Sequence, residues 1–316
     1  MAEPAEPVTR ASQALPPSGE QLRLTHEDQV LTVVTVGGGI RSYAVAEHDV
    51  IDGYDSDTMA DGARGQTLIP WPNRVRDGKW TWNGTQHQLA LTEPAQHNAI
   101  HGLVRWLSWR VAERGIRSVL LTCTSWPQPG YPWTLDVDVR YDLGDDGLTV
   151  TQRITNRSST PAPVAAGAHP YLSVGTSVID DATLLIPAAR WIDTGSQQIP
   201  TQIRDVYDTP FDFRRPRPVG SRQIDNTFTD LTRDERNRCT IRLQDPNTGR
   251  AVEVWVDESY PYVEVFTGDT LSDQHRRRRG LGVEPMTAPP NALATGEHLT
   301  ILEPAETWSG RWGIRG

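Results

Sequence analysis

The feature that most constrains the fold of this chain is an alternation of apolar and polar residues with a period of two. It is clearest in residues 134–143, where apolar Leu135, Val137, Val139 and Tyr141 alternate with polar Asp136, Asp138, Arg140 and Asp142. Successive side chains of a β-strand point to opposite faces, so this pattern predicts a strand with one buried and one solvated face. Other apolar runs span 5–10 residues and are separated by Gly, Pro, Asn and Asp. Short strands should therefore dominate the structure.

Two β-hairpins are predicted from turn residues between such runs. Residues 147–156 follow the first strand after the tetrapeptide Gly-Asp-Asp-Gly. Strands at 80–82 and 86–89 flank Asn83-Gly84, the dipeptide best suited to the positive φ angles of a tight hairpin turn. Further strands are expected at 29–36, 41–46, 118–124, 238–244, 250–257, 260–267 and 298–303.

These strands indicate one large all-β domain, a sandwich or a barrel, because helical periodicity over ten or more residues is almost absent. We place the domain at residues 19–316, after a flexible N-terminal tail (1–18) rich in Pro, Ala and Ser. The tail lacks the apolar segment and basic start of a secretory signal. Cys123 and Cys239 both lie in predicted strands, as expected for buried free thiols of a cytoplasmic protein.

Charge and hydropathy exclude several classes of function. The chain carries 31 basic and 40 acidic residues, a net charge of −9, which argues against nucleic-acid or anionic-membrane partners. It contains no apolar run of the roughly 18–20 residues that cross a bilayer. The basic run Arg276–Arg279 is interpreted as a solvated loop, with contact to a phosphate or sulfonate as the alternative.

Two polar segments offer a candidate acid and base. His169 precedes Pro170, which restricts its backbone, and Tyr171 follows two residues later. Glu284 leaves an apolar strand before a Pro-rich loop, where partial desolvation would raise its proton affinity.

Other residue types suggest a carbohydrate ligand. Asp225-Asn226 provides a carboxylate–amide pair suited to vicinal hydroxyls, and Trp133 is the tryptophan that we favour for stacking on a sugar ring. His97 and His101 have the i, i+4 spacing of a helical metal pair, but Gly102 argues against a helix and no third ligand is evident. We therefore predict no metal site.

Six motifs in order resemble the aldose 1-epimerase (galactose mutarotase) family. They are WPNR (71–74), AIHGL (99–103), AHPYL (168–172), IDNTF (224–228), VEVFTGD (263–269) and VEPMTAPPNA (283–292). The resemblance implies a galactose mutarotase-like β-supersandwich and a cofactor-free isomerase that interconverts the α and β anomers of an aldohexose. The HGL and HPY forms look more like a bacterial branch than the well-known galactose mutarotases.

The resemblance also implies roles for individual residues. Glu284 matches the general base and His169 the general acid, which we expect to be ionised and protonated, respectively, near neutral pH. Arg74 and His101 match residues that bind the sugar and polarise its oxygens, and Asp225 matches the carboxylate that holds ring hydroxyls. Asn73 and Tyr171, beside these motif residues, are added as sugar-binding candidates.

Three alternatives remain open at this stage. They are a hexose-6-phosphate 1-epimerase of the same fold, with Arg74, Arg76 and Arg105 as candidate phosphate ligands, a non-catalytic carbohydrate-binding protein, and a glycoside hydrolase using Asp225 and Glu284. The expected partner is a small sugar, and the expected assembly is a monomer or a homodimer.

Overall fold

Antiparallel strand pairing organises the part of the chain described by the computed structural model, residues 14–316. Its strands are, in chain order, β1 (Gln21–His26), β2 (Gln29–Val34), β3 (Ile40–Val45), β4 (His48–Asp49), β5 (Thr67–Leu68), β6 (Arg74–Arg76), β7 (Lys79–Trp82), β8 (Thr85–Gln88), β9 (Asn98–Ile100), β10 (Arg110–Arg114), β11 (Ser118–Ser125), β12 (Leu135–Gly144), β13 (Gly147–Asn156), β14 (Ala162–Val164), β15 (Gly167–Ala168), β16 (Tyr171–Leu172), β17 (Thr183–Leu185), β18 (Ala188–Thr194), β19 (Pro200–Asp205), β20 (Arg217–Pro218), β21 (Asp225–Leu231), β22 (Cys239–Gln244), β23 (Ala251–Val256), β24 (Tyr262–Phe266), β25 (Leu281–Met286), β26 (Thr300–Leu302) and β27 (Thr307–Arg315). The helical elements of the described residues are one short α-helix, α1 (Ala292–Thr295), and 3₁₀ turns at Asp61–Ala63, Pro94–Gln96, Ile179–Asp181 and Gln274–Arg276. None of these helices is long and apolar enough to span a bilayer.

Two large sheets carry the architecture. The nine-stranded sheet has the order β10-β11-β12-β13-β27-β23-β22-β17-β20, and the eight-stranded sheet has the order β19-β18-β21-β24-β25-β15-β5, with β16 also paired to β25. Strands β1–β4 form a third sheet, and β14-β26, β6-β9 and β7-β8 form small two-stranded sheets. The predicted all-β fold is confirmed.

The predicted hairpins are confirmed residue by residue. β12 and β13 pair from Leu135↔Asn156 to Gly144↔Gly147, and burial alternates strictly along β12. β7 and β8 are joined by Asn83 and Gly84, whose φ angles are 46° and 77°. The seven other predicted strands are all present, with ends within two residues of the expected positions.

One face of the eight-stranded sheet packs into the core and the other does not. Val263 and Val265 of β24 and Val283 of β25 belong to the large cluster of buried apolar residues that also takes in the inner face of β12. The alternate residues of these strands, Glu264 and Glu284 among them, therefore point to the opposite face. That face carries the polar cavity described below.

Two further predictions concern the N-terminal tail and the two cysteines. Most of the predicted tail, 1–18, lies outside the described residues, so its boundary stays a prediction. Cys123 and Cys239 are both buried and unpaired, as expected.

Trp133 lies in the core rather than on a sugar-binding surface. Its ring centroid is 5.8 Å from that of Trp80 and 5.1 Å from that of Tyr131, and only 5% of Trp133 is exposed. Both faces of its indole are therefore covered by protein, because the β7–β8 hairpin folds over it.

We expect Trp133→Ala to lower the free energy of unfolding by about 3–5 kcal/mol, since it leaves a cavity in this aromatic cluster. Chemical denaturation monitored by circular dichroism measures the loss. Trp126→Ala is the matched control, because Trp126 is 69% exposed and its removal should change stability little. Equal stability of the Trp133 and Trp126 variants would contradict the assignment of Trp133 to the core.

Candidate active site

Strand register brings His169 opposite Glu284. β15 pairs with β25 at Gly167↔Met286, and β16 pairs with β25 at Tyr171↔Gly282. His169 lies midway between these two pairs, so the same register sets it across from Glu284. Pro170, which has no N–H, separates β15 from β16 and still accepts a hydrogen bond from the Val283 N–H at 3.0 Å.

The two side chains form a direct and deeply buried hydrogen bond. His169 Nε2 lies 3.0 Å from Glu284 Oε1, and both side chains are almost fully buried. Burial, with a contribution from the Arg64 charge, lowers the pKa of His169 to about 3. Burial and the Asp225 charge raise the pKa of Glu284 well above its usual range. Both changes favour uncharged groups, because desolvation penalises each ion.

Burial therefore opposes the protonation states expected from the sequence. An ionised Glu284 and a protonated His169 were expected, whereas the buried pair favours a protonated carboxyl that donates to a neutral imidazole. The pair holds one proton in either case, and the two arrangements differ only in which atom carries it.

His101 is the third member of this cluster. Its ring is 5.3 Å from the His169 ring in an edge-on arrangement, and its Nδ1 accepts a hydrogen bond from the Asn73 N–H at 3.2 Å. Nε2 of the neutral ring therefore carries the proton and can donate it. Gly102 is required beside His101, because its φ is +69° and a Cβ there would lie 2.2 Å from the Ile69 carbonyl oxygen.

The ligand atoms of His101, His169 and Glu284 lie within 4.8 Å of one another, close enough to surround a cation. Hydrogen bonds occupy one ring nitrogen of each histidine, whereas His169 Nδ1 and Glu284 Oε2 are buried without a hydrogen-bond partner. Nδ1 of His101 is occupied by the Asn73 N–H, and Nε2 of His169 is occupied by Glu284.

Two further carboxyl groups lie beside Glu284 on neighbouring strands. Glu264 is directly across from Glu284 in the β24–β25 register, and Asp225 lies on β21, the next strand. The Asp225 carboxylate accepts a hydrogen bond from Glu264, which also accepts one from Thr227 Oγ1. Burial, followed by the charges of Asp225 and Glu284, raises the pKa of Glu264 well above its usual range. Glu264 therefore acts as a neutral donor beneath Asp225.

Arg74 is the cation next to these acids. Its Nε and Nη2 atoms make a bidentate pair with the Glu93 carboxylate at 2.9 and 3.0 Å, and Nη2 lies 3.7 Å from Asp225 Oδ2. Asn98 Nδ2 donates a hydrogen bond of 3.0 Å to the same Glu93 carboxylate, which fixes the position of the Arg74–Glu93 pair. Arg74 thus offers a fixed positive charge at the edge of the site rather than a mobile one.

The site opens into one cavity of about 610 Å³, a size suited to a small sugar. Seven of the eight residues predicted from the sequence line it: Asn73, Arg74, His101, His169, Tyr171, Asp225 and Glu284. Trp133 does not. The tryptophan that lines the cavity is Trp106, which is 48% exposed and lies beside Arg105.

Sequence reasoning missed four residues of the site and its surroundings. Glu93 and Glu264 are ordinary strand-edge and strand residues in sequence, although Glu264 lies within the VEVFTGD motif. Arg64 and the Asp52 that pairs with it at 2.7 Å had no motif at all. Buried charge was the property that could have identified them, and only the tertiary structure shows it.

We expect Glu264→Gln to reduce the loss of stability that accompanies rising pH. The folded wild type keeps a Glu264 proton that the unfolded chain releases above about pH 4.5, so its stability falls as pH rises. Glutamine keeps a donor toward Asp225 but has no proton to lose. Unfolding temperatures from pH 5 to pH 8 measure the difference.

Glu235→Gln is the control for that experiment, because Glu235 is exposed in a loop. It should leave the pH dependence as in the wild type. A Glu264→Gln variant with an unchanged pH slope would show that Glu264 is not a buried, protonated carboxyl.

Comparison with known proteins agrees with this geometry. Residues 20–315 match the family described as aldose 1-epimerase. An uncharacterised Escherichia coli protein, YihR, is 31% identical over 287 residues, covering 90% of each chain. The GalM/aldose epimerase homologue of C. elegans has a TM-score of 0.83 at 18% identity and covers 94% of this chain and 98% of its own. The galactose 1-epimerase of Lactobacillus acidophilus has a TM-score of 0.77 at 18% identity, with 93% of each chain covered. These matches extend over almost the whole described fold, and the chain belongs to the aldose 1-epimerase family.

Proposed function

We propose that the protein is an aldose 1-epimerase that interconverts the α and β anomers of an unphosphorylated aldohexose. The observation that carries the proposal is the buried hydrogen bond of 3.0 Å between His169 Nε2 and Glu284 Oε1, which lies in a sugar-sized cavity. Anomer exchange requires one group that removes a proton from O1 and another that protonates the ring oxygen O5. The two side chains are a suitable pair.

Proton transfer in the proposed reaction balances within the pair. His169 donates a proton to O5 while Glu284 accepts the O1 proton, the C1–O5 bond breaks, and a C1=O1 carbonyl forms. Rotation about C1–C2 presents the other carbonyl face, and the reverse transfers close the ring. The reacting form is the ion pair, which arises from the neutral pair when the Glu284 proton moves to His169 across their hydrogen bond. Ring opening then returns the pair to two neutral groups, the arrangement that burial favours. Within the reaction, burial therefore favours the open-chain intermediate with its neutral pair over the closed ring with its ion pair.

The remaining cavity residues orient the sugar in this proposal. Asp225 accepts hydrogen bonds from ring hydroxyls, Arg74 donates to them, and the His101 Nε2–H donates to the oxygen on which charge develops. Trp106 offers an exposed indole face to the apolar side of the sugar. Tyr171 contacts His169 rather than the sugar, because its hydroxyl is bonded to the Gly62 carbonyl.

Charge in the cavity favours a neutral substrate. Even without Glu284, for which burial favours the neutral form, three lining residues are acidic (Asp61, Glu93 and Asp225), against two lining arginines. Arg74 is neutralised by Glu93, as described above. Arg105, however, lines the cavity and has no carboxylate partner within the described residues. That observation supports an aldose carrying an anionic group as the second candidate.

A panel of sugars separates these candidates. NMR exchange spectroscopy at anomeric equilibrium should show faster exchange with glucose or galactose than with glucose 6-phosphate or a 6-sulfonated aldose. A large preference for either anionic sugar would instead assign Arg105 to the anion. Release of new reducing ends from an oligosaccharide would indicate a glycoside hydrolase.

Either His169→Ala or Glu284→Gln is expected to lower the anomer exchange rate by ~10²–10⁴, because each removes one of two coupled proton transfers. The double variant should lose much less than the product of the two losses, since groups that act as a unit are not additive. Sugar affinity, followed by tryptophan fluorescence, should largely survive in Glu284→Gln.

Two outcomes would contradict this assignment. An anomer exchange rate of Glu284→Gln equal to the wild-type rate would remove Glu284 from the reaction. A wild type that binds sugar without accelerating exchange above the buffer rate would be a carbohydrate-binding protein. Circular dichroism of each variant confirms that it is folded.

A further inference from the structure

The basic run at 276–279, interpreted from sequence as a solvated loop, contains two half-buried arginines, Arg276 and Arg278, and two exposed ones, Arg277 and Arg279. Arg276 Nη2 lies 3.1 Å from Asp52 Oδ1, and Arg278 pairs with Asp180 and Asp269 at 2.8 Å each. Arg279 is exposed and has no ion pair within the described residues. Arg276 thus links the loop to a charge that lies deeper in the protein.

Asp52 in turn holds a buried arginine. Arg64 is only 2% exposed, and its Nη1 donates to Asp52 Oδ2 at 2.7 Å and to the Asp52 carbonyl at 2.9 Å. The Nη2 atom of the Arg64 guanidinium is buried with no hydrogen-bond partner. An unsatisfied donor on a buried cation is costly, at roughly 1–3 kcal/mol or more, so folding alone gives no reason to keep it.

Arg64 stacks on the residues of the site. Its guanidinium carbon lies 4.1 Å from the centre of the Tyr171 ring, and that ring stacks on His169 at 4.9 Å with an interplanar angle of 12°. The Gly65 N–H, next in the chain, donates to the His169 carbonyl at 2.8 Å. The loop that carries Arg64 therefore contacts His169 through both a ring stack and the backbone.

We propose that Arg64 is a positioning residue that acts through Tyr171 to hold the His169 ring against Glu284. In this proposal Asp52, which also pairs with Arg276, partly neutralises the positive charge that Arg64 places near the His169–Glu284 pair. For its catalytic consequence the inference rests on the proposed function. Its electrostatic part concerns the unliganded protein and can be tested separately.

The sign of each charge effect follows from the surroundings of the pair. The charged and titratable groups that face it are Arg64, Arg74, Arg105, His101, Tyr171, Asp225 and Glu264. Removing the Arg64 cation makes the pair easier to protonate and harder to deprotonate. Neutralising Asp52, which balances Arg64, has the opposite effect.

The pH profile of kcat/KM, together with the NMR titration of the His169 ring, tests this pattern. The His169 resonances are assigned by their loss in His169→Gln. In Arg64→Gln both limbs of the profile and the titration should move to higher pH, by about one unit. In Asp52→Asn, which keeps a hydrogen-bond acceptor, the alkaline limb should move to lower pH.

Arg64→Lys separates charge from position. Lysine keeps the cation, so the profile should stay at its wild-type pH, while kcat falls roughly tenfold to a hundredfold because the planar stack on Tyr171 is lost. Arg279→Gln is the matched control from the same run and should change neither rate nor profile.

Several results would overturn the proposal. They are a folded Arg64→Gln variant with the wild-type profile and rate, shifts of Asp52→Asn and Arg64→Gln in the same direction, or an Arg64→Lys variant with the wild-type kcat. If Arg64→Gln does not fold, Asp52→Asn and Arg64→Lys still decide. If the wild type exchanges no sugar, the proposed function fails, and the His169 titration still tests the charge relationship.

Discussion

The hydrogen bond between His169 and Glu284 is the interaction on which the rest of this site depends. It joins two side chains that face each other because β15 and β16 pair with β25 in the same register, on the face of the eight-stranded sheet that points away from the core. Strand register has a period of two, so a slip of one residue would turn either side chain into the core. The pairing of the sheet strands therefore fixes the relative positions of the His169 and Glu284 side chains.

Burial of the pair creates a charge problem that the surrounding residues solve. A buried ion is stable only when partners compensate for the lost solvent. Glu264 remains neutral beneath Asp225, while Glu93 balances Arg74 at the edge of the cavity. Arg64 is balanced by Asp52 from behind the aromatic stack. Arg64 and Arg74 are thus compensated, whereas Arg105 has no carboxylate partner among the described residues, and one shared proton lies between His169 and Glu284.

Much of the fold could be predicted because the relevant signals are local. Alternating burial marked β12 and β13, and Asn83-Gly84 marked the β7–β8 turn. The short strands around the site had no such signal, since strands of two or three residues such as β15 and β16 are too brief to show a period. Trp133 shows the limit for single residues. Its Pro- and Gly-rich surroundings resembled a loop, but the hairpin that covers it is distant in sequence.

The sequence alone determined that the chain is all-β, and its six motifs identified seven residues that meet in one cavity. Tertiary structure decided how those residues act. Whether a carboxyl or an imidazole holds a proton depends on how much water and which charges surround it, and these come from strands far apart in the chain. For the same reason the sequence could not show how burial shifts the pKa values of His169, Glu264 and Glu284. It also could not show the series of ion pairs from Arg276 through Asp52 to Arg64. Local pattern specifies strands because the backbone responds to neighbouring residues, whereas protonation responds to neighbours in space.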